Sequence, residues 1–220
     1  HSPADVLRLA REENCLHEVE RITFFCASSA YQALENAGKV VPSALLFVNS
    51  IASQYLTPDE LSEYSARYAS ILPRIVIEIT EEECLDPKAL RIKQTIRGSS
   101  GAFALDDYGS GYSNGNSLLT IAPKYVKVDI AIIRGIDTDA DKQQFLMTLI
   151  DYAHPRGVQV LAEGVETLSE LRKVLEMGVD LLQGYCLAPP AAEPGAIDEK
   201  AAEVIAEVER QKAERKEAGS

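Results

Sequence analysis

Short apolar runs alternate along this chain with longer stretches in which apolar positions recur at helical spacing. The runs at 45–49, 74–81, 101–107, 125–129, 158–164 and 180–185 read as strands, bounded by glycine, proline and polar residues. Helices are predicted between them. Ser2-Pro3 opens the first, with proline at its first turn, and it runs to about residue 13. A second spans 15–35 and closes at Gly38. Thr57-Pro58-Asp59-Glu60 has the form of a capping box and starts a third, to about residue 70. Further helices are predicted over 86–97, 116–121 (halted by Pro123), 139–153 and 168–177, the last ended by Gly178.

This strand-helix alternation predicts an α/β fold with a parallel sheet. Each predicted strand ends in polar or charged residues: Asn49, Glu78, Asp106 with Asp107, Lys127 with Asp129, Glu163, and Gln183. Polar endings that recur in phase point to one shared site at the C-terminal face of a (β/α)8, TIM-barrel-like fold. An open doubly wound sheet is the competing architecture, but it gathers site residues at a single switch point.

The stretch GAFALDDYGSGYSN, residues 101–114, carries the densest chemistry. A buried strand leads into the adjacent carboxylates Asp106 and Asp107, then into Gly109-Ser110-Gly111. Neighbouring charges at the mouth of a strand cost several kcal/mol unless compensated. On an ideal strand the two would point to opposite faces. A strand end running into a glycine turn breaks the pleat, so both can reach a cation. The alternative is a polar turn in which an Asp side chain bonds its own backbone. Lys127 likewise has two readings, a cation working among carboxylates or a structural ion pair with Asp129. Glu163 is followed directly by Gly164, which favours close backbone approach.

Composition narrows the partners. The chain has 220 residues and a net charge of −12, which argues against a nucleic-acid polymer or an anionic membrane. A small phosphate ligand bridged by cations remains compatible. No apolar run is long enough to span a bilayer. Cys15, Cys26, Cys84 and Cys186 are scattered without a CxxC pair, so a zinc site or disulfide framework is not expected, and a cytoplasmic location is. His1, His17 and His154 lie away from the strand ends, which leaves histidine-based catalysis without a candidate. After Pro189-Pro190 the sequence becomes rich in Ala, Glu and Lys, with Val204, Ile205 and Val208 as a thin apolar stripe. The expected organisation is a barrel domain over 2–190 and a helical tail over 191–220, fraying across 209–217.

Taken in order, the blocks LFVN (to Asn49), EITE (78–81), ALDDYGSGYS (104–113), VKVD (126–129), LAEGVET (161–167) and LLQGY (181–185) resemble the EAL-domain family. Members of that family are phosphodiesterases that linearise the bacterial second messenger cyclic di-GMP. The resemblance implies a pair of divalent cations, Mg²⁺ or Mn²⁺, held by Asn49, Glu78, Asp106 and Asp107, with Asp106 in the bridging position. It implies catalytic roles for Lys127, beside the attacking water, and Glu163, as general base or metal-water partner. Gln183 matches an active-site glutamine and Asp129 falls in the matching KxD pattern, so both are candidate substrate-binding residues. Glu81 and Glu166 match residues that brace the loop of Gly109, Ser110 and Gly111. The implied partners are cyclic di-GMP and a second copy of the chain, dimerising near that loop. An all-oxygen ligand set agrees with hard cations over zinc.

The sequence departs from the family pattern in places. Ser110 stands where threonine is usual, and Asn114-Gly115-Asn116 replaces a serine- and leucine-containing continuation. The segment that names the family, with its metal-binding glutamate, is expected before the first helix; Gln32-Ala33-Leu34 lies downstream of that place, within a predicted helix. About two N-terminal strands are expected to be missing with that segment, leaving about six of the eight that close a barrel. A catalytically inactive receptor for cyclic di-GMP, or a protein-interaction module, is therefore the alternative function. A different metal-dependent barrel enzyme would leave the ordered blocks unexplained.

Overall fold

The structure is a computed structural model that describes residues 2–80, 87–97, 102–110 and 116–218. Its strands are β1 (Leu46–Asn49), β2 (Ile75–Thr80), β3 (Ala102–Tyr108), β4 (Tyr125–Val128), β5 (Gln159–Ala162) and β6 (Leu181–Leu182). Its helices are α1 (Pro3–Glu12), α2 (Leu16–Asn36), α3 (Pro58–Arg67), α4 (Pro87–Arg97), α5 (Asn116–Ile121), α6 (Ile130–Ile133), α7 (Ala140–Ala153), α8 (Leu168–Met177) and α9 (Glu199–Ala218). The strands form a hydrogen-bonded series in chain order, β1-β2-β3-β4-β5-β6, as a sheet of the parallel α/β barrel type does. Parallel register pairs Asn49 with Glu78, Lys127 with Leu161, and Leu161 with Leu181.

The helix starts at Ser2 and Thr57 follow the capping chemistry read from sequence, and α8 starts on a third box that the sequence analysis does not single out. Ser2 with Asp5, Thr57 with Glu60, and Thr167 with Glu170 each form a reciprocal capping box. Gly178, at φ +100°, closes α8 in the left-handed region that glycine favours. Strand ends differ more from expectation. β4 stops at Val128 because Asp129 turns to cap α6, a short helix the apolar pattern does not announce. β6 is only Leu181–Leu182, flanked by backbone bonds from Asp180 N to Val160 O at 3.0 Å and from Gln183 N to Ala162 O at 2.9 Å, and the Asp180 carboxylate accepts from the Val160 N–H at 2.8 Å.

The chain folds as two compact units, divided within β3 between Leu105 and Asp106. The first comprises His1–Leu105 and Asn114–Pro123. Its core holds Phe24, Tyr64, Tyr68, Ile71 and the buried residues of β2. Phe24 and Tyr64 meet edge to face with centroids 5.7 Å apart, and the Tyr64 hydroxyl shares a hydrogen bond of 2.6 Å with Ser28. Burial pushes the Tyr64 phenol up to about 12. Val6, Leu7 and Leu9 of α1 stay exposed.

The second unit comprises Asp106–Ser113 and Lys124–Ser220. β4 is buried along its whole length, as strands of a parallel sheet are. α9 docks on α8 through the buried Ala201 and Val208 and an Arg172–Glu207 pair of 2.7 Å. It stays helical through 209–217, where fraying was expected. The pairs Gln211–Glu207 and Lys212–Glu209, at 3.1 and 3.3 Å, add support within the helix.

Candidate metal centre

β3 is buried through Asp106 and then changes course. Asp106 is still 7% exposed. Asp107 takes φ +56°, a left-handed conformation that costs an L-residue about 1–2 kcal/mol and that Asp tolerates better than most. The break removes the strand's alternation. Carboxylate oxygens of Asp106, Asp107 and Glu163 come to lie within 4.8 Å of one another. Asp106 Oδ1 also accepts from the Asp107 N–H at 3.0 Å, so the backbone-bonding turn exists alongside the carboxylate cluster.

Lys127 projects into this cluster from the buried β4. Its Nζ lies 2.8 Å from Asp106 Oδ1 and 2.7 Å from Glu163 Oε1. The structural pair with Asp129 gives way to this bridge, for the Asp129 carboxylate accepts from Ala131 N at 2.7 Å and caps α6. Glu163 is carried to the site by continued pairing past β5, its N–H donating to Val128 O at 3.1 Å. Gly164 then turns at φ +64°, and a Cβ there would lie 2.4 Å from Ile130 Cδ1. The close approach that Gly164 permits is thus to α6. Gly109, at φ +98°, serves similarly: a Cβ would meet Ile132 Cγ1 at 2.9 Å.

Among the described residues the cluster sets three carboxylates, one buried and two half-buried, beside one ammonium, a balance that favours negative charge. Like charges at about 4 Å repel by about 4 kcal/mol at an effective dielectric of 20. A hard divalent cation, Mg²⁺, Mn²⁺ or Ca²⁺, matches both the oxygen donors and the charge deficit.

Behind the site, the Glu170 carboxylate accepts from the N–H groups of Gly135 at 2.8 Å, Glu166 at 3.0 Å and Thr167 at 3.0 Å. Burial acts to raise its pKa, but these bonds and the Thr167 hydroxyl outweigh it and hold the group below the usual carboxylate range. Sequence reading missed Glu170 as an anchor; its signal was the capping box Thr167-x-x-Glu170. Glu166, expected to brace the glycine-rich loop, pairs with Arg134 just after α6.

The Gln183 backbone is fixed, its N–H donating to Ala162 O at 2.9 Å and its carbonyl accepting from Val165 N at 3.0 Å, while the residue is exposed. Ser110 Oγ is buried without a hydrogen-bond partner among the described residues. Glu81 and Gly111 lie outside the described residues. In the first unit, Asn49 and Glu78 are register partners at the ends of β1 and β2, and Ser50 N donates to Glu78 O at 3.0 Å. Asn49 is exposed and Glu78 is 6% exposed.

The family model of the EAL domain matches residues 1–190. The chain belongs to the EAL domain family. Among curated relatives, this EAL chain is 29% identical over 119 residues to the cyclic di-GMP phosphodiesterase PdeL of Escherichia coli K12, covering 53% of the chain and 33% of that protein. It is 25% identical over 194 residues to the probable cyclic di-GMP phosphodiesterase PdeG of the same organism, covering 86% of the chain and 38% of that protein. It therefore spans about a third of the length of these relatives. Among solved structures, it matches a standalone EAL protein from Vibrio cholerae O395 in its c-di-GMP-bound form, with TM-score 0.74 and 25% identity over 89% of this chain and 84% of that one. The manganese/cy-diGMP complex of Klebsiella pneumoniae BlrP1 matches with TM-score 0.72 and 26% identity, over 89% of this chain and 50% of that one. The EAL resemblance read from the ordered blocks, and the barrel-type α/β fold with it, are thereby shown.

Proposed function

We propose that this EAL domain hydrolyses cyclic di-GMP to linear pGpG with Mg²⁺ or Mn²⁺ bound in a two-metal site. The observation that carries the reading is the cluster of Asp106, Asp107 and Glu163, two of which pair with the Lys127 ammonium. Asp106 and Asp107 would hold the cation; Asn49 and Glu78 are further oxygen donors on the strength of their sequence positions. When bound, such cations neutralise the phosphodiester and make bound water acidic.

The chain's own residues supply the rest. Lys127 fixes the orientation of Asp106 and Glu163 and brings positive charge toward an anionic diester. Glu163, tied by one oxygen to Lys127, is the base for a water proton. Asp106, paired with Lys127, would also offer an oxygen to the cation. Gln183 and Asp129 are proposed on the nucleotide side, and Glu166 acts through Arg134 on the α6 end. The names of the relatives, and the c-di-GMP and manganese of the matched complexes, support substrate and cation.

The test is to incubate the chain with cyclic di-GMP and Mn²⁺ or Mg²⁺ and follow the appearance of linear pGpG. Cation-dependent product is expected. Tight nucleotide binding with no product would replace the enzyme by a receptor.

A further inference from the structure

The first unit buries an ion pair for which the proposed chemistry has no use. Lys93, on α4, is fully buried, and Glu20, on α2, is 1% exposed. Lys93 Nζ donates to Glu20 Oε1, Ser50 Oγ and the Gln54 carbonyl, each at 2.6 Å. All three acceptors lie within hydrogen-bond reach of the ammonium, which has three N–H donors to offer. Glu20 in turn accepts from Ser50 Oγ at 2.7 Å and from the Ile51 N–H at 2.8 Å.

Burying two charges rarely adds stability over a well-packed apolar pair, so stability alone is a poor account of this one. What it grips is informative. Ser50, Ile51 and Gln54 all belong to the chain leaving β1, immediately after Asn49. Behind Asn49, the β1–β2 register fixes the strand; ahead of it, the Ser50 hydroxyl and the Ile51 N–H are both held by Glu20. The Ser50 N–H is held separately by Glu78 O, at 3.0 Å.

We propose that Glu20 and Lys93 are a positioning pair that sets the course of the backbone at Asn49, and so the direction in which its side-chain amide is presented. The use of that direction for a cation rests on the reading of Asn49 as an oxygen donor. The pair touches no substrate and acts through Ser50 and Ile51.

The test uses the full chain and two variants. Glu20→Gln/Lys93→Met removes both charges at similar volume; Ser50→Ala removes only the linking hydroxyl. Amide hydrogen exchange and the side-chain NH₂ resonances of Asn49 are read by NMR without metal, and Mn²⁺ affinity is read by calorimetry. The expected result is exchange at Ile51 faster by at least about tenfold in the double variant, with β2 amides unchanged. The Asn49 side-chain signals shift, and Asn49→Ala costs no further Mn²⁺ affinity in that background. Unchanged exchange at Ile51, or acceleration spread evenly through the unit, would overturn the proposal, because a merely structural pair gives the second result. So would local loosening with the Mn²⁺ affinity of the unaltered chain. Failure of the unaltered chain itself to bind Mn²⁺ would sink the cation reading, and the exchange and NH₂ signals would still decide the positioning role.

Discussion

The ammonium of Lys127 stands 2.7 Å from Glu163 Oε1, although the register partner of Lys127 on β5 is Leu161. Glu163 lies two residues beyond Leu161 and therefore on the same face. A long lysine covers the diagonal step between neighbouring strands, and the same Nζ reaches Asp106 at 2.8 Å. The centre is thus assembled by strand register, with one cation on β4 serving carboxylates from both sides.

Lys127→Met should remove that cation at similar volume. Leaving buried carboxylates uncompensated costs about 3–5 kcal/mol, so the metal-free chain should unfold at markedly lower urea. Added Mn²⁺ should stabilise the variant more than the unaltered chain, since it then meets a full set of negative charges. Equal Mn²⁺ shifts in both would disconnect Lys127 from the cation.

Asp106→Asn should abolish Mn²⁺-dependent thermal stabilisation while Lys127 keeps Glu163 as partner. In the unaltered chain, Mn²⁺ at a hundredfold excess over its dissociation constant should add about 2.7 kcal/mol. Persistence of the shift in the variant would put the cation elsewhere, with the acidic α9 as the first place to look.

Much of this site was legible in sequence, for a definite reason. Asp106, Lys127 and Glu163 sit at strand ends, and strand ends in a parallel α/β sheet are marked by where apolar runs stop. The helix starts were equally readable, because capping is local. What escaped depends on contacts distant in sequence or on competition between local structures. Glu20 and Lys93 are 73 residues apart and nothing in either neighbourhood names the other. Asp129 looked like a strand-end charge and proved to be a helix cap. Arg134, the ion-pair partner of Glu166, is 32 residues away in sequence and could be named only from the fold. The glycine after Glu163 signalled close approach correctly, but the neighbour, Ile130, could be named only from the fold.

Gly164→Ala should destabilise the chain by about 1–3 kcal/mol, through both its positive φ and the contact with Ile130. Adding Ile130→Ala removes the two Ile130 atoms that lie 2.4 Å from the new Cβ but keeps the one at 2.9 Å. The double variant should therefore recover part of the loss in urea denaturation. No recovery would mean that backbone strain alone sets the cost.

Glu170 gives a pH signature. Its pKa is held below that of the unfolded chain, so its contribution is complete at neutral pH and is lost as pH falls below about 4 and through the folded-state value. Glu170→Gln should cost about 1–3 kcal/mol at pH 7. The gap between variant and unaltered chain should narrow at low pH, where both are neutral. A gap independent of pH would assign the effect to shape alone.

The most direct measurement is the anomalous scattering of manganese in crystals of the chain grown with Mn²⁺. A peak about 2.0–2.6 Å from carboxylate oxygens of Asp106 and Asp107, with Glu163 in the same cluster, is the predicted result. Well-ordered Asp106 and Asp107 side chains with no peak between them, at Mn²⁺ concentrations that label other acidic positions, would contradict the metal centre and the hydrolytic reading built on it.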